Sequence, residues 1–286
     1  MYKTLFLSLL TATMLVACSS DDVEEPQLPE EPRLLTVEVT ENTLLDTNGA
    51  PMQAPTRTEA PITTETLKKF SMNYQSSQYD FTKTSGTWST NSWPTTVGTD
   101  AKIDFYAYNA GTFYWNGGNP YVSFEMSASE GFNLTDLLVA KHQNISFNDA
   151  GGKVSLTFDH ACAAVKFCIS KTSGVGEKNI VVKRVELSGV RNRGEYHYNT
   201  PAWEYLPGSA IYTLTVSDIT LTTEKVTLPC GYLFLIPQTK EGLKLTVTYT
   251  VDADETVKSH DFNLSGEWRA GTEYVVNINM GTSIIK

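Results

Sequence analysis

The sequence predicts an all-β protein whose strands form antiparallel β-sandwiches. Apolar and polar residues alternate with a period of two along most apolar runs, most clearly at residues 243–251, where five apolar residues lie on one face. Glycine- and proline-containing turn signals separate these runs, and helical periodicity is nearly absent. Strands at close spacing without crossover helices pack as sheets face to face, which predicts a sandwich architecture.

The predicted strands follow one another along the whole chain. In order, they lie at residues 34–40, 103–108, 154–158, 210–216, 232–236, 243–251 and 274–280. The run at 232–236 is apolar on both faces, which is typical of a strand buried inside a sandwich. Two stretches, 63–70 and 133–141, are expected to form a turn or two of helix each.

Length and composition predict two folded domains. The chain has 286 residues, of which 41% are hydrophobic and 19% charged. That is enough for one large domain or two domains of about 100–150 residues. The most polar glycine-containing stretch near the middle, residues 171–178, marks the expected boundary. We therefore predict an N-terminal β-sandwich domain at residues 34–172 and a C-terminal one at residues 173–286.

Residues 1–17 have the pattern of a lipoprotein signal peptide. Lys3 precedes an apolar run at residues 5–16 that is too short to span the roughly 30 Å core of a bilayer. The run ends in Leu-Val-Ala-Cys, which resembles the bacterial lipobox. We therefore expect cleavage before Cys18, lipidation of Cys18, and a lipid anchor in the outer membrane.

Residues 18–33 are predicted to form an acidic, proline-rich tether. The part from 21 to 32 contains six acidic residues, three prolines and no basic residue. Charge repulsion and proline stiffness favour an extended segment. The acidic run directly after Cys18 resembles signals that send lipoproteins to the outer face of a Gram-negative outer membrane. Exposure at the cell surface is therefore expected, with a periplasmic location as the alternative.

The charge and the residue inventory argue against nucleic-acid binding and against catalysis. The net charge is −10, which repels a phosphate backbone. The four histidines are scattered without a second ligand at zinc spacing, and no Gly-x-Ser-x-Gly motif or phosphate-binding loop is present. We therefore expect no enzymatic activity, no cofactor and no metal site.

Three cysteines lie beyond the tether. Cys162 and Cys168 are six residues apart on one predicted strand, about 20 Å, which is too far for a mutual disulfide. Either of them pairs with Cys230 in an oxidising compartment, or all three remain buried thiols.

An aromatic cluster at residues 113–115 precedes the turn Asn-Gly-Gly. If this cluster lies on an exposed loop, Tyr114 and Trp115 are candidate contacts for a sugar ring or for a host protein. The alternative is that these rings belong to the core at the end of a strand.

Five motifs occur in a fixed order between residues 105 and 274. They are Phe-Tyr-Ala-Tyr-Asn at 105–109, Asp-Leu-Leu-Val-Ala at 136–140, Leu-Thr-Phe-Asp-His-Ala at 156–161 running into Ala-Val-Lys-Phe at 164–167, Leu-Phe-Leu-Ile-Pro-Gln at 233–238, and Trp-Arg-Ala-Gly-Thr-Glu-Tyr at 268–274. Each motif is weak alone. In combination with the lipobox they resemble the fimbrillin family, the FimA-like and Mfa-like subunits of type V fimbriae in Gram-negative anaerobes.

This resemblance implies two transthyretin-like β-sandwich domains in tandem and a structural or adhesive role in surface fimbriae. It also implies assembly with other fimbrial subunits by strand exchange: a trypsin-like protease cuts after an arginine, the first strand leaves its groove, and a donor strand from a neighbour replaces it. Here the first strand is residues 34–40. Arg57 is the expected cleavage site, and Arg33 is the alternative.

Only six residues follow the last predicted strand, fewer than a donor extension is expected to need. We therefore expect a tip or accessory subunit that accepts a strand, or an anchor that keeps its first strand uncut. A second hypothesis, from a different functional class, is a stand-alone surface lipoprotein that binds glycan through exposed aromatic residues.

Overall fold

The structure, a computed structural model, describes residues 33–51, 61–126, 135–252 and 254–285. Within this part of the chain, helix is confined to the four-residue α1 (Phe147–Ala150) and a short 3₁₀ segment (Ser173–Val175), and the rest of the regular structure is β. The predicted all-β class is confirmed. No helix in these residues is both long and apolar enough to cross a bilayer.

Eleven strands precede the 3₁₀ segment, and most are short. They are β1 (Leu34–Glu41), β2 (Lys69–Tyr74), β3 (Ser77–Thr84), β4 (Thr87–Trp88), β5 (Asn91–Ser92), β6 (Ile103–Tyr108), β7 (Thr112–Asn116), β8 (Asn119–Glu125), β9 (Leu138–Ile145), β10 (Lys153–His160) and β11 (Ala163–Lys171).

Eleven further strands follow it. They are β12 (Ile180–Val190), β13 (Arg193–His197), β14 (Ala202–Tyr205), β15 (Ala210–Thr220), β16 (Val226–Thr227), β17 (Leu233–Leu235), β18 (Gln238–Thr239), β19 (Lys244–Val251), β20 (Asp254–Asn263), β21 (Glu267–Trp268) and β22 (Glu273–Met280).

Among the described residues these strands form five sheets. The largest has the order β4-β3-β2-β6-β9-β10-β1-β5, and two four-stranded sheets have the orders β15-β12-β19-β20 and β14-β13-β8-β7. In another sheet, β11 pairs with β16, β17 and β22, and β18 pairs with β21 in a small ribbon. Most pairs are antiparallel, but β1–β10 and β11–β22 are parallel. The alternating sequence patterns did not indicate these two parallel pairs.

The hydrophobic residues form two core clusters, and the eight-stranded sheet contributes to both. Phe105 on β6 belongs to the smaller cluster, with Leu35, Phe81, Trp93 and Phe158. The next residue, Tyr106, points to the opposite face and belongs to the larger cluster, which also holds the apolar residues of β11, β12, β19 and β22. Since successive side chains of a strand alternate in direction, one sheet fills two cores.

Strands on either side of the predicted domain boundary pair with each other. β11 precedes residue 172, yet its partners β16, β17 and β22 all follow it. Likewise β8 pairs with β13. The division into domains at residues 34–172 and 173–286 stays a prediction.

Of the two expected helical stretches, the first forms a single turn and the second is partly replaced by a strand; residues 133 and 134 lie outside the described residues. In the stretch 63–70, the backbone N–H of Thr66 donates to the carbonyl of Thr63 in a single turn before β2 begins. Residues 138–141 of the second stretch lie in β9. The short apolar run there is buried in the sheet, where tertiary pairing overrides a weak helical pattern.

Two adjacent glycines, Gly151 and Gly152, lie in the turn just before β10. Their replacement tests how closely β1 packs against this turn. Both have positive φ, +57° at Gly151 and +77° at Gly152. An added Cβ at Gly151 meets nothing within 4 Å, whereas at Gly152 it would overlap the carbonyl oxygen of Leu34.

We therefore expect Gly151→Ala to lower the free energy of unfolding by about 1–2 kcal/mol, the cost of left-handed backbone for a residue with a Cβ. Gly152→Ala has the same backbone strain and also displaces β1. It should therefore lower the free energy of unfolding by about 1–3 kcal/mol more than the control variant, Gly151→Ala, does. Urea denaturation of both variants measures the difference. Equal losses would contradict a tight fit of β1 against this turn.

Candidate functional site

The first strand is attached along only one of its edges over most of its length. β1 runs parallel to β10 in an unbroken register from Thr36 opposite Lys153 to Glu41 opposite Phe158. On its other edge it meets β5 at Leu34 and Leu35 alone. Among the described residues, the edge of β1 beyond Leu35 has no strand partner. A strand held in this way is peripheral to the hydrogen-bonded sheet.

The side chains of β1 nevertheless complete a core. Leu35 is fully buried in the smaller cluster, and Val37 and Val39 pack against that cluster. The neighbouring Leu34 is 51% exposed. This alternation agrees with the predicted first strand at residues 34–40.

The chain after β1 extends this attachment to the larger core. Leu44 is buried in the larger cluster. The backbone N–H of Leu45 donates to the carbonyl of Gly271 at 2.9 Å, and its own carbonyl accepts from the N–H of Glu273 at 2.7 Å. The segment from Leu34 to Leu45 therefore contributes apolar side chains to both cores.

A tight turn follows Leu45. The backbone N–H groups of Ala50 and Asn48 both donate to the carboxylate of Asp46 at 2.8 Å. These bonds lower the pKa of Asp46.

The expected lipidation and cleavage sites, Cys18 and Arg57, lie outside the described residues. The alternative cleavage site, Arg33, is described. Its carbonyl accepts from the N–H of Trp93 at 2.7 Å, and its guanidinium donates to the carbonyl of Val97 at 3.4 Å. These contacts hold the backbone of Arg33 against the sheet.

A cleft of about 670 Å³ lies beside the segment that follows β1. Its walls come from this segment, from the end of β10, from β13–β14 and from the chain before β22. The lining includes Asn42, Leu45, His160, Tyr196, Trp203 and Gly271.

A buried polar pair lies next to this cleft. Nδ1 of His160 is 2.7 Å from a carboxylate oxygen of Asp136, and both side chains are almost completely buried. Burial lowers the pKa of His160, but the hydrogen bond and charge of Asp136, with smaller effects of Glu41 and Asp159, outweigh it and raise the pKa. Such a pair is costly to break because one buried charge would remain uncompensated.

Glu41, the last residue of β1, is electrostatically coupled to this pair. One of its carboxylate oxygens is buried and has no hydrogen-bond partner among the described residues. Burial raises the pKa of Glu41, because the charged form is penalised. The end of the first strand thus lies in a polar but weakly solvated environment.

The two candidate ligand-contact aromatics lie on opposite faces of β7, which is a strand rather than a loop. Tyr114 is 47% exposed and stacks on Tyr121 with ring centroids 5.1 Å apart. Trp115 packs against the larger core, and its ring lies 6.1 Å from that of Tyr106. Tyr114 is therefore the more exposed of the two, Trp115 is only partly buried, and ligand binding by either residue stays a prediction.

Cys162 and Cys168 are buried free thiols, and Cys230 is buried as well. Burial raises the pKa of the Cys162 thiol. Neither Cys162 nor Cys168 is bonded to Cys230 in the structure, and the state of Cys230 stays a prediction.

The structure places the predicted first strand beside residues that sequence reasoning missed. Leu44, Leu45, Asp136 and Glu41 belong to this site, whereas Tyr114 and Trp115 do not line the cleft. The only sequence signal for Leu44 and Leu45 is an isolated apolar pair after the strand, which does not indicate a second core.

Replacement of Asp136 tests which group raises the pKa of His160. In the wild type, we expect a His160 pKa above the ordinary value of about 6.5, so its contribution to stability is present below that pH and is lost as pH rises through the raised pKa. In Asp136→Asn, burial dominates and the pKa of His160 falls below about 6.5. In this variant the contribution of His160 to stability is lost as pH falls, so its pH dependence is opposite to that of the wild type.

NMR titration of the histidine Cε1–H signals measures the pKa, and urea denaturation at two pH values measures the stability. Asp159→Asn, at a neighbouring carboxylate with a smaller effect, serves as the matched control and should leave the pKa of His160 above the ordinary value. An unchanged His160 pKa in Asp136→Asn would show that another group controls it.

Comparisons with known proteins support a common fold. A fimbrial protein from Bacteroides vulgatus ATCC 8482 superimposes with a TM-score of 0.53 at 19% identity, covering 87% of this chain and 95% of that one. A candidate cell adhesion protein from Bacteroides ovatus ATCC 8483 gives a TM-score of 0.52 at 14% identity, with coverages of 87% and 92%. No curated protein matches the sequence.

A family model described as fimbrillin-like matches residues 53–286, which is most of the sequence. The solved structures are too distant in sequence to show more than the fold, but the family match covers the chain from residue 53 onward, which includes strands β2 to β22. The chain therefore belongs to the fimbrillin-like family.

Proposed function

We propose that this protein is a structural and adhesive subunit of cell-surface fimbriae that is assembled by protease-triggered donor-strand exchange. In this proposal a trypsin-like protease cuts after Arg57, the segment containing β1 leaves, and a strand from a neighbouring subunit occupies its place. The role is structural rather than catalytic. Membership of the fimbrillin-like family supports a fimbrial or adhesin subunit.

The observation that carries the exchange mechanism is the attachment of β1. One parallel ladder with β10, a two-residue pairing with β5 and a few buried side chains hold this strand, and its departure releases β5 but breaks no pairing among the remaining strands of the sheet. An incoming strand would recover the backbone hydrogen bonds of β10 and fill the position of Leu35 with its own apolar side chain.

The last described residues support the role of strand acceptor at a tip or accessory position. Ile285 is buried in the larger core, and the carbonyl of Ile284 accepts a hydrogen bond from the Tyr249 hydroxyl at 2.7 Å. Ile284 and Ile285 thus make contacts within their own subunit, which disfavours their use as part of a donor strand.

We place the subunit at the outer face of the outer membrane. The lipobox and the acidic residues after Cys18 support a lipid anchor on Cys18 and export to the surface. The family supports a fimbrial location at the cell surface.

The exchange is tested with residues 19–286, digested briefly with trypsin and analysed by mass spectrometry. We expect one fast cut after Arg57, which Arg57→Gln abolishes, and slow cleavage at Arg33. The cut protein is then incubated with a fluorescent peptide of its own residues 33–51. We expect only the cut form to take up the peptide.

The adjacent leucines supply a matched control in the peptide. Leu35→Ala removes a fully buried side chain and should weaken uptake roughly 10- to 100-fold. Leu34→Ala removes an exposed one and should change it by less than about twofold. If the two peptides bind equally, the groove of β1 is not the acceptor site.

Glycan binding by a stand-alone lipoprotein is the second candidate function, and the exposure of Tyr114 favours it. The stacked rings of Tyr114 and Tyr121 offer an aromatic surface to solvent. This proposal predicts sugar-dependent fluorescence changes in the uncut monomer that are lost in Tyr114→Ala. They should persist in Tyr205→Ala, which removes another exposed tyrosine. Sugar responses that are identical in both variants would count against this surface.

A further inference from the structure

The outer face of the β13–β14 hairpin brings together two carboxylates and an imidazole. Glu195 and His197 are two residues apart on β13 and therefore point to the same face. Glu204 on β14 lies directly opposite Glu195 in the antiparallel register. In sequence, the three residues show no zinc-ligand spacing, because the turn between the strands brings Glu204 into place.

The three side chains are close enough to share one ion. Nε2 of His197 lies 3.3 Å from a carboxylate oxygen of Glu204 and 3.9 Å from one of Glu195. One ligand atom from each residue lies within 4.8 Å of the other two. Ligands placed 2.0–2.1 Å from a tetrahedral metal are about 3.3 Å apart, so a small inward movement of the glutamates suffices.

The charges of this cluster are not balanced by the surrounding protein. Like charges directly opposite one another on a sheet repel. Among the described residues, neither glutamate forms an ion pair with lysine or arginine, and both lie within 4 Å of the His197 imidazole. A cation between the two carboxylates would remove the repulsion.

The imidazole provides an independent indication of a ligand. The Nε2 atom of His197 is shielded from solvent, although its side chain as a whole is 18% exposed, and it has no hydrogen-bond partner among the described residues. The imidazole is held from the side by the ring of Tyr121, whose centroid is 5.4 Å away. A buried nitrogen that faces two carboxylates without bonding to them is suited to a metal ion.

Asn119 lies at the other ring nitrogen and can set the tautomer. Its side-chain amide is 3.4 Å from Nδ1 of His197. When a metal takes the Nε2 lone pair, the neutral ring carries its proton on Nδ1. Nδ2 of Asn119 is the atom that faces Nδ1 in the structure. The metal-bound form requires the carboxamide to turn, so that its oxygen accepts a hydrogen bond from the Nδ1–H.

We propose that Glu195, His197 and Glu204 form a binding site for one divalent transition-metal ion, for which zinc is the best match. Zinc accepts histidine nitrogen and carboxylate oxygen with three protein ligands and leaves a fourth position for water or a partner. Calcium and magnesium prefer more oxygen ligands than this site supplies. The bound ion joins β14, an edge strand, to β13.

The test is isothermal titration calorimetry of residues 19–286 with zinc chloride, supported by equilibrium dialysis. We expect one zinc ion per chain at this site. His197→Gln and Glu204→Gln should each weaken zinc binding at least about tenfold. Glu204 has a side chain that is 67% exposed, so its replacement by glutamine leaves the packing intact and keeps the test valid if His197→Gln misfolds.

Matched controls use a histidine and a glutamate outside the cluster. His260→Gln and Glu255→Gln, both on β20, should leave zinc affinity within about twofold of the wild type. Absence of zinc binding by the wild type would overturn the proposal. So would equal binding by the wild type and Glu204→Gln, because the ion would then lie elsewhere on the chain.

Discussion

Both hydrophobic cores of this protein depend on one N-terminal segment that is paired along only one edge over most of its first strand. Leu35 closes the smaller core and Leu44 enters the larger one, while the main chain of β1 relies on β10 for almost all of its pairing. Backbone hydrogen bonds do not distinguish one strand from another, and buried side chains select only for shape and polarity. The groove therefore demands a strand with apolar residues at alternate positions, and does not by itself demand this one.

The polar pair of His160 and Asp136 stands out in its apolar surroundings, at the place where β10 ends and the chain continues into β11. The carbonyl of Ala161 there accepts a hydrogen bond from the Trp203 indole, and that of Cys162 accepts one from the N–H of Gly271. Directional bonds converge on this short connection from three parts of the chain. Because apolar contacts alone tolerate sliding, we interpret these bonds as the feature that sets how the large sheet meets the strands of the second core.

Much of the fold follows from residue alternation, and the exceptions have physical reasons. A period of two identifies the strands and their buried faces, as in β10, β19 and β22, but it contains no information on which strand is the neighbour or in which direction it runs. The period of two could therefore not predict the two parallel ladders. The same period does separate Tyr114 from Trp115 once their segment is recognised as a strand. Of the site, β1 was predictable as an alternating run, whereas the role of Leu44 depends on long-range contacts. Cys18 stays a prediction based on the lipobox, and Arg57 stays a prediction based on the family resemblance.

The parallel pairing of β1 with β10 has a mechanical consequence for an extracellular filament. A tensile load on the end of a strand that lies along its partner is directed parallel to the strand, across the ladder from Thr36 to Glu41. The load then acts on all of these hydrogen bonds together as shear, instead of opening them one after another from an end. Resistance to pulling is governed by the unfolding rate under force rather than by equilibrium affinity. If the proposed donor strand takes the register of β1, the joint between two subunits is replaceable at equilibrium and still resists a pulling force.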